Sequence, residues 1–172
     1  FVAALLSALA YFCAVKSNQS KISSDWANIG RKSFYVHGFA LFGLISVLFY
    51  AMYNHMYEYS YVFDHVSEDL PLKYILSAFW EGQEGSFLLW LFWQALIGLF
   101  LIRTQRNWEA PVMVVFGLVQ AFLASMILGI VIPFLNIKLG SSPFILLRDA
   151  IDDPIFSLQP DFIPKDGSGL NP

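Results

Sequence analysis

Trp80–Ile102 reads WEGQEGSFLLWLFWQALIGLFLI. Glu81, Gln83 and Glu84 stand beside Gly82 and Gly85, and after them no charge appears until Arg103. The run from Gly85 to Ile102 approaches the ~20 apolar residues that a helix needs to cross a bilayer. Three more apolar runs flank it: Phe1–Val15, about Val36–Tyr53, and about Pro111–Leu135 with Pro133 near its exit. In lipid each must satisfy its own backbone hydrogen bonds, so each is expected to be a helix. Pro111 suits a first helical turn, where a missing N–H costs nothing. The expected fold is all-α, an integral membrane bundle of four transmembrane helices with an external loop and tail.

Composition agrees. Only 13% of residues are charged and 57% are hydrophobic, against about 25% charged in a soluble domain. Mean hydropathy is +0.58. The net charge of -3 offers no basic field for nucleic acid. The single cysteine, Cys13, excludes an internal disulfide and a multi-thiolate metal site; in its apolar run it reads as a small buried thiol. The first run is short for a span and begins at Phe1, so residues upstream are expected, and the end at Asn171-Pro172 suggests a continuation.

Basic residues set the orientation. Lys16, Lys21, Arg31 and Lys32 lie between the first two runs, and Arg103 and Arg106 lie between the third and fourth. Lys73 is the lone base between the second and third, beside Glu58, Asp64, Glu68, Asp69, Glu81 and Glu84. The first and third connections are therefore expected inside, with the N-terminus, the acidic loop and the tail outside. The chain divides into a transmembrane region over residues 1–135, with an interfacial segment over 54–84, and an external tail over 136–172. Leu70–Trp80 suits a helix lying along the interface, and a short surface helix is expected around Phe144–Ile151. Gly82 and Gly85 then permit a sharp turn into the third span. Glu84 and Ser86 fall where a helix N-terminus takes caps and negative charge. The tryptophans fall at headgroup depth.

Leu70, Pro71, Tyr74, Ser77, Ala78, Trp80, Glu84, Gly85, Ser86, Leu88, Leu89 and Trp90 together form the pattern L-P-x-x-Y-x-x-S-A-x-W-x-x-x-E-G-S-x-L-L-W. Asp166, Gly167, Leu170, Asn171 and Pro172 supply D-G-x-x-L-N-P. SSPF at Ser141–Phe144 matches a short N-P-F stretch with Ser142 in place of Asn. In order and spacing these segments resemble the CcmF-type cytochrome c biogenesis proteins, the haem lyases of the system I pathway. The resemblance implies a bacterial inner-membrane protein. It implies that a periplasmic haem chaperone delivers haem and that a thioreductase-like partner holds apocytochrome c. Thioether bonds then join the haem vinyl groups to the thiols of a CxxCH motif. The resemblance also implies a b-type haem in the complete protein. The tryptophan-rich external domain and external histidines of that family do not occur in this sequence, so the chain reads as an N-terminal part that depends on the remainder of the haem lyase. Related proteins dedicated to nitrite-reductase cytochromes share the motifs, which leaves the client open.

His37, His55 and His65 are the only histidines. Along one helix His37 and His55 would stand about 27 Å apart, so they cannot share a haem iron. His37 reads as a polar group at a span end. His55, His65, Trp80 and Trp90 are the candidates for contact with haem, and Trp90 and Trp93 share a helix face. The bland alternatives are loop polar groups and an interfacial aromatic belt. No catalytic side chain and no metal site is identified. Gly82, Glu84, Gly85 and Ser86 read as a structural motif. The rival function is a non-catalytic membrane scaffold or transporter subunit, against which stands the scarcity of intramembrane charge.

Overall fold

The apolar run becomes helix α5, Gln83–Thr104, and it sits among three other long or apolar helices: α1 (Val2–Lys16), α2 (Ser20–Tyr53) and α6 (Glu109–Leu128). The computed structural model describes residues 1–105, 107–132, 134, 137–159 and 161–169. Helices α2, α5 and α6 have the length and apolarity to cross a membrane, and α1 is apolar but shorter, at 15 residues. The chain is an all-α, multi-pass membrane bundle.

Two helix boundaries differ from expectation. Helix α2 starts at Ser20, not near Val36, and is 34 residues long. At 1.5 Å per residue that is about 51 Å, well beyond a ~30 Å hydrocarbon core. The connection expected between the first two spans shrinks to residues 17–19. Tertiary contacts hold the polar first turns in the helix: Ser23 Oγ donates to Ala14 O at 2.9 Å and Ser7 Oγ to Gly30 O at 3.0 Å. Lys21, Arg31 and Lys32 therefore sit on helical turns. Helix α6 stops at Leu128, not Leu135, because Gly129 takes φ 62°. A left-handed glycine is a common helix terminator. The β-branched run after it forms strand β1 (Ile130–Ile132), antiparallel to β2 (Ile137–Leu139), with Ile130 opposite Leu139. Pro111 does lie in the first turn of α6. Arg106, Pro133, Leu135 and Asn136 lie outside the described residues.

The acidic connection holds two short helices, α3 (Ser60–His65) and α4 (Leu72–Ala78), the second inside the expected Leu70–Trp80 segment. Helix α3 was not anticipated. The tail holds α7 (Leu147–Ala150), shorter than the expected helix, and α8 (Pro154–Leu158), where Asp153 accepts from Ile155 N as cap.

The residues divide into two compact units. One comprises residues 1–43 and 88–125, the other 44–87 and 126–172. The first is built on Tyr11, Phe34, Ile102 and Met113, all buried, with Leu99, Val114 and Phe116 packed against them. Small residues let its helices approach: a Cβ at Gly117 would stand 2.9 Å from the Ala8 Cβ, and one at Gly30 would stand 2.8 Å from the Tyr11 ring. Close packing of this kind drives helix association where lipid removes the hydrophobic incentive. The second unit is loop-rich and contains most of the motif residues.

Candidate functional site

Helix α3 is the hub of the second unit. Tyr61 and His65 are four residues apart on it, so they share a face. Their rings stack at 4.3 Å and 27°. His65 Nδ1 lies 2.8 Å from Tyr61 O; a carbonyl only accepts, so Nδ1 carries the proton. The buried Tyr61 hydroxyl donates to Phe79 O at 2.8 Å. Burial, reinforced by the charge of Glu84, pushes the phenol pKa up.

The glycine motif packs on this pair. A Cβ at Gly82 would come within 2.6 Å of the Tyr61 ring and 2.7 Å of His65 Nε2. A Cβ at Gly85 would run into the Phe79 carbonyl and the Tyr61 hydroxyl. Neither glycine has positive φ; among the described glycines only Gly129, Gly140 and Gly169 do. The two glycines allow the close approach of the chain to Tyr61, His65 and Phe79, and neither needs left-handed backbone. Ser86 is also not a cap acceptor. Its hydroxyl donates to Trp80 O at 2.8 Å, while Gly82 O accepts the first helical bond from Ser86 N at 3.1 Å. Glu84 stands in the first turn of α5, where its charge suits the helix N-terminus.

The two tail motifs reach the same segment. Asp166 Oδ1 accepts from Glu68 N at 2.7 Å, Gly167 N at 2.8 Å and the Tyr57 hydroxyl at 3.4 Å. These backbone donors, Glu68 first, hold its pKa below the ordinary carboxylate value. The Tyr57 pKa rises to about 12 through burial and then the Asp166 charge. Ser168 N donates to Phe63 O at 2.7 Å, and a Cβ at Gly167 would overlap Val66 O. The Ser142 hydroxyl accepts from Phe144 N at 3.3 Å. Phe144 meets Tyr59 edge-on at 6.0 Å. Ser60 N and Leu147 N then tie residues 58–60 to 145–147 through Ile145 O and Glu58 O. Leu170, Asn171 and Pro172 lie outside the described residues.

The haem candidates are divided between the two units. Trp90 belongs to the first unit and Trp80, His55 and His65 to the second; both tryptophans are exposed. His55 adopts φ 53°, rare for a residue other than glycine. Its Nε2 is buried, with no hydrogen-bond partner among the described residues. The cavity that His65 lines with Tyr61, Asp64 and Glu84 measures about 80 Å³, far below the 300–1,000 Å³ usual for a cofactor or drug-sized ligand. Among the described residues no group of three or more His, Cys, Asp or Glu side chains is placed to hold a metal ion. The cavity beside His65 does not by itself fit a haem.

Polar contacts in the first unit escaped sequence reasoning. Arg31 grips Glu109 with both ends of its fork, Nε to Oε1 at 2.6 Å and Nη2 to Oε2 at 2.7 Å, and the Tyr11 hydroxyl donates to Oε1 at 2.8 Å. His37 is not a span-end group: it is buried, with Nε2 2.8 Å from Gln120 Oε1. Gln120 Nε2 donates to Leu91 O at 3.0 Å, which leaves Oε1 as acceptor and puts the proton on His37 Nε2. Gln120, an isolated polar residue in an apolar run, was the available signal.

Two relatives are similar to the chain, both from Haemophilus influenzae. The cytochrome c-type biogenesis protein NrfE is 29% identical over 145 residues, covering 78% of this chain and 22% of the relative. The cytochrome c-type biogenesis protein CcmF is 28% identical over 142 residues, covering 78% of this chain and 18% of the relative. These similarities bear out the resemblance carried by the motifs, and the chain spans about a fifth of the length of each relative. No family model and no solved structure matches the chain.

Proposed function

We propose that the chain is part of a membrane haem lyase for cytochrome c maturation, and that its second unit shapes the outer rim of the haem-handling site. The observation that carries this reading is the similarity over 78% of the chain to two cytochrome c-type biogenesis proteins. A haem chaperone supplies haem, a thioreductase-like partner presents apocytochrome c, and the remainder of the protein holds the haem, including the b-type haem. In the reaction each CxxCH thiol adds across a haem vinyl group. A C–S bond forms, the S–H bond breaks, and the proton ends on the neighbouring carbon. Nothing leaves and no net redox change occurs, so positioning can supply most of the acceleration. The residues described here serve that role by shape: Tyr61 and His65 bear on Gly82, Tyr61 also on Gly85, and Asp166 fixes the tail.

The orientation belongs to the same proposal. Lys16, Lys21, Arg31, Lys32 and Arg103 lie in the cytoplasm, and residues 54–84 and the tail from 136 lie in the periplasm of a bacterial inner membrane. A thiol placed by Asp69→Cys should react with an impermeant reagent in intact spheroplasts, and one placed by Lys21→Cys should not; the opposite pattern reverses the topology. The function is tested with the full-length protein in cells lacking their own haem lyase and expressing a reporter apocytochrome. Covalent haem on the reporter is expected. Normal membrane insertion with no covalent haem would favour the scaffold or transporter reading.

A further inference from the structure

Where α5 leaves the apolar core of the first unit, a cleft of about 350 Å³ opens between it and α2, lined by Arg31, Tyr35, Ile102 and Arg103. Its two arginines are unequal. Arg31 is matched by Glu109, and its Nη1 donates to Asn28 Oδ1 at 2.9 Å. Arg103 is exposed, and among the described residues it has no ion-pair partner. The cleft therefore offers one uncompensated guanidinium and a half-exposed phenol, Tyr35, above the buried Ile102. A guanidinium fork matches two oxygens of a phosphate.

The helices next to the cleft say what else the ligand carries. Phe39 lies one turn beyond Tyr35 on the same face of α2 and is 81% exposed; Phe100 lies one turn before Arg103 on α5 and is 65% exposed. Leu96 extends the stripe on α5 and is also exposed. Along its length each helix thus passes from a polar group to exposed apolar surface. Trp26 and Trp108, near the same helix ends, are exposed aromatics of the kind found at headgroup depth. A soluble anion would use only the cationic part of this surface. We propose that the cleft seats the phosphate headgroup of an anionic phospholipid, with an acyl chain along Phe39 and Phe100. Basic pockets between transmembrane helices commonly take such headgroups. The inference rests on the membrane bundle alone and stands independently of the haem-lyase reading.

The test uses the full-length protein in nanodiscs of phosphatidylcholine with or without phosphatidylglycerol. The readouts are lipid co-retained after detergent extraction and the thermal unfolding midpoint. Wild type should retain phosphatidylglycerol over phosphatidylcholine and gain stability from it. Arg103→Gln should lose about fivefold in that preference, the value of one basic residue at an anionic surface. Tyr35→Phe should lose a smaller part. Lys32→Gln removes the same charge from outside the cleft lining and should change little. Equal losses in Arg103→Gln and Lys32→Gln would reduce the preference to general surface attraction and overturn the site. Stabilisation by inorganic phosphate alone, matching that by phosphatidylglycerol, would assign the cleft to a soluble anion and overturn the lipid.

Discussion

In the unit of residues 1–43 and 88–125 clusters of polar side chains link one helix to another; in the unit of residues 44–87 and 126–172 polar side chains chiefly meet the backbone. Arg31, Glu109 and Tyr11 form one cluster on three helices, and His37 with Gln120 forms another that ends on Leu91 O. A helix satisfies its own backbone, so its buried polar side chains must find a side chain or the second lone pair of a carbonyl on a neighbouring helix, or go unsatisfied in a dry interior. Outside the spans the situation reverses. Irregular backbone leaves N–H and C=O groups without ladder partners, and Asp166, Tyr61, Ser86 and Ser142 bind those. One region uses polarity to join helices, the other to hold loops in shape.

The largest expected effect breaks the second region. Gly85→Ala should be about as harmful as Gly85→Val, because the first carbon added already overlaps the Phe79 carbonyl. Overpacking against backbone that cannot retreat is expected to cost more than about 3 kcal/mol. Reporter cytochrome yield and protease resistance of residues 54–84 should collapse together in both variants. If Ala were tolerated and Val were not, β-branching and not close approach would be the constraint. The next effect breaks the first region. Glu109→Ala strands Arg31 and Tyr11 and should cost about 3 kcal/mol, the low end for a broken buried pair because the Arg31 side chain is 37% exposed. Adding Arg31→Met should recover much of the loss in thermal unfolding, since an apolar pair needs no partner. A double variant as unstable as Glu109→Ala alone would sink the ion-pair account.

A smaller loss is expected from Gln120→Leu. It leaves the buried His37 without its partner, at a cost of about 2 kcal/mol. An unfolding midpoint unchanged from wild type would show that water or a rearranged helix replaces the amide. The mildest effect is one of pH. The Asp166 carboxyl is held below its ordinary pKa by backbone donors. Its stabilisation is therefore complete above the ordinary carboxylate range and disappears as pH falls through the depressed value. The Tyr57 phenol is raised to about 12, so its contribution is intact below about 10 and fades as pH climbs toward about 12. Protease cleavage near residues 161–169 should rise at the acid end in wild type, and Asp166→Asn should flatten that acid limb. An unaltered acid limb in Asp166→Asn would remove the anchor from the account.

The main helices were legible because length and apolarity alone specify a span, and Pro111 and the charge at Arg103 mark sites near their ends. The helical start of α2 was not legible. Residues 20–35 are polar enough to read as a loop, and Ser7 and Ala14 on another helix hold them. The exit of α6 carried a readable sign, Gly129 before Ile130-Val131-Ile132, that the apolar run concealed. The glycine motif was visible as a motif and misread in cause, since a Cβ clash depends on Tyr61, His65 and Phe79, which only folding brings near.

By itself the sequence determined that the chain crosses a membrane, which of its ends are basic, and which family it resembles. Those properties are sums over local composition or matches of order and spacing, and they survive without any contact being known. Only the tertiary structure decided that three separated motifs converge on Tyr57–Val66, that His37 pairs with Gln120, and that Arg31 is neutralised while Arg103 is not. These depend on which residues distant in sequence meet, a matter of packing and of which polar groups would otherwise be left without partners.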